Sequence, residues 1–355
     1  MMPFRRVVVG VDFTDTSLAT VRWVSAHLAP EASLVLAHIV REPRTPPFLR
    51  AHLPPVSEIV TERETALYRG LCGLADLVGR DRTSVEMLSG APADGLALIA
   101  HRLDADLVCV GKSVQRRGSA RFGATTASRL LARSGVPLLV VPGGARATPT
   151  RVLAAVSDLP HDERVLHHAG ALASAWGAQL DALHVVERDV RELAHDLSTA
   201  QRESRGVLAL QPMDDERLRM LAGDWLARQL PQAGMPPGEA TPAVREGDAG
   251  QEITAYARTT RADLIVVGRG ALASLGGASH SALGSTTRLT LWAAHCPVLV
   301  LGTEPTRAAP SPVAQDAGLQ ARGAPLVLAR SAMRGALALD RPRRPRRPGP
   351  GGDAA

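Results

Sequence analysis

Ala105–Gly111 reads ADLVCVG, and Ala262–Gly268 reads ADLIVVG, 157 positions later. The echo extends in both directions from this pair. Toward the N-terminus, Arg6–Asp12 (RVVVGVD) resembles Val152–Asp158 (VLAAVSD), and Leu34–Val40 (LVLAHIV) resembles Leu180–Val186 (LDALHVV), each 146 positions apart. Toward the C-terminus, Val136–Val141 (VPLLVV) matches Cys296–Leu301 (CPVLVL), with Pro137 and Pro297 offset by 160. The offset grows only between matched segments. That is how a duplicated domain drifts, through insertions in loops and at helix ends.

Each copy alternates short apolar runs with stretches of helical period. After the β-branched run Val7–Val11, the residues Leu18, Val21, Val24 and Leu28 recur at helix spacing. Strand Leu34–Val40 follows, then a proline-rich connection and a helix over 57–78. Strand 84–88, a helix over 93–103, strand 106–110, a helix over 126–133 and strand 137–141 complete the unit. Runs apolar on nearly every residue indicate a sheet buried on both faces, and βαβ alternation implies right-handed crossovers and a doubly wound α/β fold. The second copy repeats this order with a longer polar middle over 187–238. The expected organisation is therefore two tandem α/β domains, 1–145 and 149–304, and a segment 305–355.

That last segment is rich in Pro, Ala, Arg and Gly, and its composition cannot build a core, so disorder is expected there. It also explains the overall charge of +6: it carries nine Arg and three Asp, and the preceding 304 residues balance at 32 basic against 32 acidic side chains. Any contact with nucleic acid is thus expected only weakly, through the tail, which lacks interleaved aromatics for base stacking. The only lysine is Lys112, outside any phosphate-clamping P-loop context. Cys72, Cys109 and Cys296 are widely spaced with no CxxC, which fits buried free thiols in a reducing cytosol. The N-terminus lacks a signal-peptide apolar region and no run of about 18 apolar residues occurs, so a cytoplasmic protein without membrane spans is expected.

In open parallel sheets, ligands bind beyond the carboxyl ends of the strands. Three features converge there in each copy. Asp12 or Asp158 ends the first strand, where a carboxylate either accepts from a ribose hydroxyl or adenine amine, or caps the next helix. Gly111 or Gly268 begins the loop after the fourth strand. Gly123-Ala124-Thr125-Thr126 or Gly284-Ser285-Thr286-Thr287 precedes a helix, where backbone N–H groups and hydroxyls either hold a phosphate or cap the helix. His38 and His184, inside strands, read as hydrogen-bonded structural histidines. No zinc spacing is present.

These residues resemble the universal stress protein family, twice over, across about residues 4–303. The resemblance implies Rossmann-like domains, each a five-stranded parallel sheet of order 3-2-1-4-5, paired through their last strands, Pro137–Val141 against Pro297–Leu301. A homodimer is the other arrangement it allows. It implies ATP or a related adenine nucleotide, with magnesium only as the nucleotide's companion. Its expected contacts are Asp12, Val40, Gly111, Ala124, Thr125 and Thr126 in the first copy. In the second they are Asp158, Val186, Gly268, Gly270, Gly284, Ser285 and Thr286. Nucleotide-binding members carry Gly-x2-Gly-x9-Gly-Ser/Thr after strand four. Here Val114 and Ala124 replace two of those glycines in the first copy. In the second, Gly284 comes three positions late and Ala271 stands at the middle glycine.

Two functions follow: a non-catalytic stress-response or signalling protein that senses adenine nucleotide, or a nucleotide-independent dimerising scaffold of the same family. An enzyme would need an HxGH or SGGxDS phosphate signature, and neither occurs, which leaves at most slow ATP hydrolysis.

Overall fold

Val7 and Val9 face one side of the first strand and Val8 the other, and all three are fully buried. The same alternation holds through the sheet. Leu107 and Cys109 share the side of Val7, and Val108 and Val110 share the side of Val8; Leu264 and Val266 oppose Ile265 and Val267 in the same way. A strand apolar on both faces needs cover on both faces, which is why helices flank the sheet on each side. Each fully buried valine or leucine stabilises by roughly 1.5–3 kcal/mol relative to exposure.

The computed structural model describes residues 2–28, 32–41, 56–112, 126–145, 148–157, 162–203, 214–236, 238–270 and 284–302. In the first half these form β1 (Arg6–Gly10), α1 (Asp15–His27), β2 (Ser33–Val40), α2 (Val56–Val78), β3 (Thr83–Ser89), α3 (Pro92–Arg102), β4 (Leu107–Gly111), α4 (Thr126–Arg133) and β5 (Leu138–Val141). The second half has β6 (Arg151–Val156), α5 (Asp162–Trp176), β7 (Gln179–Val186), α6 (Arg188–Glu203), α7 (Asp215–Gln232), β8 (Ala240–Glu246), α8 (Ala249–Thr260), β9 (Leu264–Gly268), α9 (Ser285–Ala293) and β10 (Val298–Leu301). The expected polar middle of the second half thus contains two helices. One is started by Asp214, whose side chain accepts from the Arg217 N–H at 2.8 Å. The tail expected to be disordered lies outside the described residues.

The hydrogen-bonded order is β3-β2-β1-β4-β5-β10-β9-β6-β7-β8. Strands within each half are parallel, but β5 and β10 pair antiparallel, Val140 opposite Val298 and Leu138 opposite Val300. The pairing expected between the last strands of the two halves is present, and it joins the two parallel sheets into one ten-stranded mixed sheet. Both cores run through the seam, for each contains residues of both halves. Trp23 and Trp176 meet edge to face across it at 6.0 Å, and the Trp176 indole donates to the His27 carbonyl at 2.8 Å. Where β10 ends, a Cβ on Gly302 would stand 2.1 Å from the Gly135 carbonyl oxygen, so only glycine fits. Because the seam is antiparallel, the carboxyl edge of each half lies on the same side of the sheet as the amino edge of the other.

The two copies of the ADL motif have a structural role. Asp106 accepts from the backbone N–H groups of Arg5 and Arg6, and Asp263 from those of Thr150 and Arg151 and from the Thr150 hydroxyl. Each carboxylate ties the start of its half's fourth strand to that of its first strand. No helix among the described residues is long and apolar enough to cross a membrane.

Candidate functional site

At the carboxyl edge of the first half, β1 runs into Val11 and Asp12. Val11 is fixed by two bonds: its N–H donates to Ala37, and its carbonyl oxygen lies 2.7 Å from His38 Nδ1. The second half repeats this with His184 Nδ1 3.0 Å from the Val156 oxygen. Both histidines therefore hold the end of a first strand beside its neighbour, and position the residue that follows.

The Asp12 carboxylate bends back on its own turn. Its Oδ1 accepts from the Thr14 N–H at 3.1 Å and the Thr14 hydroxyl at 2.6 Å, and the Asp12 N–H donates to Ser17 Oγ at 3.3 Å. Thr14, not Asp12, is the N-cap of α1. Asp12 is exposed, and Oδ2 takes part in none of these bonds. Partial desolvation raises its pKa, but the bonds from Thr14 and Ser17 outweigh that and hold it below the ordinary carboxylate value. Between Asp12 and Thr14 lies Phe13, with φ of 60°. A bulky residue in the left-handed region is strained, and such outliers cluster at working sites. The Phe13 ring sits 5.3 Å from His38 and against Gly70 of α2, where a Cβ would approach it to 3.0 Å. Sequence pattern gives no sign of this residue, since its conformation has no periodic signature.

Gly111 ends β4 against the start of α1. A Cβ there would lie 3.1 Å from Thr16 Cγ2 and 3.2 Å from the Ser17 nitrogen, so the glycine permits a close helix–strand approach. Val40 is buried, and its carbonyl accepts from Gly90 at 2.9 Å; Val186 does the same with Gly247 at 3.1 Å. Gly90 and Gly247 have φ of 136° and 141°, a turn that β3 and β8 both require glycine to make. Thr126 begins α4; Ala124, Thr125 and Val114 lie outside the described residues, as does Asp158 in the second half.

The second half is better defined at its helix start. Gly268 ends β9, and Gly270 (φ 92°) packs directly on Gly284, so that a Cβ on either would stand 3.2–3.3 Å from the other's Cα. Gly284 is the N-cap of α9 and supplies no side-chain bond to the first turn. The helix ladder begins with Arg288 donating to Gly284, and among the described residues no side-chain cap is supplied to the first-turn N–H groups by the N-cap. Thr287 is buried and donates to the Gly268 oxygen at 2.9 Å, pinning the helix start to the strand end. That tying residue is the third hydroxyl of the Gly284–Thr287 run, beyond the two expected to act. Ser285 is exposed and Thr286 half-buried. The strand end, two touching glycines and a helix start whose N-cap offers no side chain can accommodate an anion by backbone donors alone. Among the described residues no group of three or more His, Cys, Asp or Glu could hold a metal ion.

Doubly wound parallel halves of this kind define a Rossmann-like fold class. The family model described as the universal stress protein family matches residues 3–142 and 149–302. The chain belongs to that family, as a tandem two-domain member. It is similar to a universal stress protein from Archaeoglobus fulgidus DSM 4304, at 15% identity and a TM-score of 0.57, over 84% of this chain and 96% of that one. A functionally unknown protein from Pseudomonas aeruginosa PAO1 aligns at 15% identity and a TM-score of 0.53, over 84% and 92%. A universal stress protein in complex with cAMP aligns at 24% identity and a TM-score of 0.28, over 39% and 97%. Among curated proteins none matches the sequence significantly.

Proposed function

We propose that this protein is a non-catalytic, cytoplasmic stress-response protein that binds ATP or a related adenine nucleotide at the carboxyl edge of its second half. The observation that carries this reading is the start of α9, whose N-cap Gly284 offers no side chain, packs on Gly270 and is pinned to Gly268 through Thr287. Phosphates would take the N–H groups of Ser285 and Thr286, Val186 would border the base, and Asp158 would accept from the ribose. Magnesium would arrive with the phosphates, keeping several of its waters. In the first half, Asp12, Val40, Gly111, Ala124, Thr125 and Thr126 form the corresponding set, weakened by Val114. The reading treats 1–145 and 149–304 as the two domains and 305–355 as an appended tail.

A scaffold that needs no nucleotide is the second reading, supported by the continuous seam and by the altered glycine spacing. Heat-denatured, freshly purified protein should release adenine nucleotide near one per chain. The stripped protein should bind ATP calorimetrically, and Gly284→Val should weaken binding at least about tenfold, because the added side chain fills the backbone approach at a phosphate-binding helix start. No released nucleotide and no titration heat would favour the scaffold.

A further inference from the structure

On the sheet edge that carries the amino end of the second half, a pocket of about 340 Å³ opens between the link Gly144–Ala145 and the ends of α8 and β9. Arg258, Arg261, Asp263, His295 and Cys296 line it. We propose that this pocket binds a small phosphate-bearing anion, held by Arg258, Arg261 and His295. The proposal does not rest on the nucleotide reading above, which concerns the opposite edge.

The charge balance of the pocket is positive. Its one carboxylate, Asp263, is engaged by the Thr150 and Arg151 N–H groups and the Thr150 hydroxyl. Arg258 donates through Nη2 to the Ala293 oxygen at 2.8 Å, which fixes its guanidinium at the pocket and uses one of its five donors. Lys112 reaches across the seam and donates to the Ala294 oxygen at 2.7 Å, beside His295. Burial and the positive charge of Arg258, with a smaller share from Lys112, lower the His295 pKa against the opposing pull of Asp263 and the Ala262 backbone. The positive charges of Arg258 and Lys112, which are part of that effect, would attract an incoming dianion.

Comparison between the halves shows that this charge is particular to one of them. By the register of the ADL and proline matches, Arg258, Arg261 and His295 correspond to His101, Asp104 and Gly135. Asp104 and Arg261 both adopt the left-handed conformation, with φ of 47° and 58°. One turn therefore presents an acid in the first half and a base in the second. Arginine forks suit phosphate because they offer paired donors in a plane.

The source could be free phosphate or the phosphate tail of a nucleotide reaching over from the first-half carboxyl edge, which shares this side of the sheet. Inorganic phosphate titrated into the full chain, with histidine labelled for NMR, should move the His295 resonances saturably. The double variant Arg258→Gln/Arg261→Gln should weaken that binding at least about tenfold, since two charge-assisted contacts are lost, whereas Gly284→Val should leave it unchanged. AMP binding at least tenfold tighter than phosphate while moving His295 would assign the source as a nucleotide; equal affinity would assign free phosphate. A wild-type His295 signal that never saturates overturns the proposal, and so does unchanged affinity in the double variant. Should the double variant fail to fold, Arg261→Gln alone, at an exposed helix end, provides the same test.

Discussion

Asp106 and Asp263 stand at the same place in the two halves and both accept from the backbone N–H groups at the start of the first strand, whereas the loops that follow Gly111 and Gly268 differ in length and in their glycines. The aspartate at the amino edge of each half has been kept, and the loop after the fourth strand at the carboxyl edge has diverged. The reason is physical. An aspartate that takes the N–H groups of a neighbouring strand cannot change without leaving those donors without their acceptor. A loop beyond the strand ends is free of that constraint, so its sequence tracks what it binds.

Three experiments sharpen the comparison. The largest effect is expected at the kept edge. Asp263→Ala removes an acceptor, 3% exposed, that serves three donors, and should cost about 3 kcal/mol in urea unfolding. Asp106→Ala, at a more exposed site, should cost about half as much by the same reasoning. Equal losses would show that burial does not set the difference. Next comes the seam, where Gly302 corresponds to Pro142 of the first half. Gly302→Ala forces a methyl group onto the Gly135 carbonyl and should cost about 2 kcal/mol, by the usual penalty of overpacking. Pro142→Ala should cost less, and a Gly302→Ala protein as stable as its parent would mean that the seam yields easily. The smallest effect is at Asp12. Its lowered pKa contributes stability that is fully present above the ordinary carboxylate value and is lost as pH falls through the folded value. Asp12→Asn should therefore narrow the difference in urea midpoint between pH 7 and pH 3. An unchanged difference would show that the Thr14 and Ser17 bonds do not favour the charged form.

Much of this architecture can be read from residues alone because apolar strands buried on both faces leave a dense signal, and duplication prints it twice. The ADLVCVG and ADLIVVG runs mark β4 and β9, and Thr126–Arg133 marks α4 to the residue. The paired helices α6 and α7 are less legible, since one face of each is exposed and the composition over that stretch is polar. The pairing of β5 with β10 is implied by the family resemblance and not by any pattern within a half, because a strand carries no mark of what pairs with its open edge. At the candidate site, glycine positions are visible in sequence, but what they touch is not. Gly111 abuts α1, and Gly270 abuts Gly284, two different uses of one residue type. The strain at Phe13 and the role of Thr287 depend on dihedral angles and neighbours brought in from far along the chain.

The pairing of β5 with β10 has one more consequence. Both strands belong to a single polypeptide, so their encounter is intramolecular and its effective concentration is set by the short link between the halves. Dilution cannot part them, and the edge each would offer to another molecule is already occupied. Two independent chains joined by such a seam could trade partners and form mixed pairs with their relatives. Within one polypeptide the two halves meet at a ratio of one to one, fixed when the chain is synthesised.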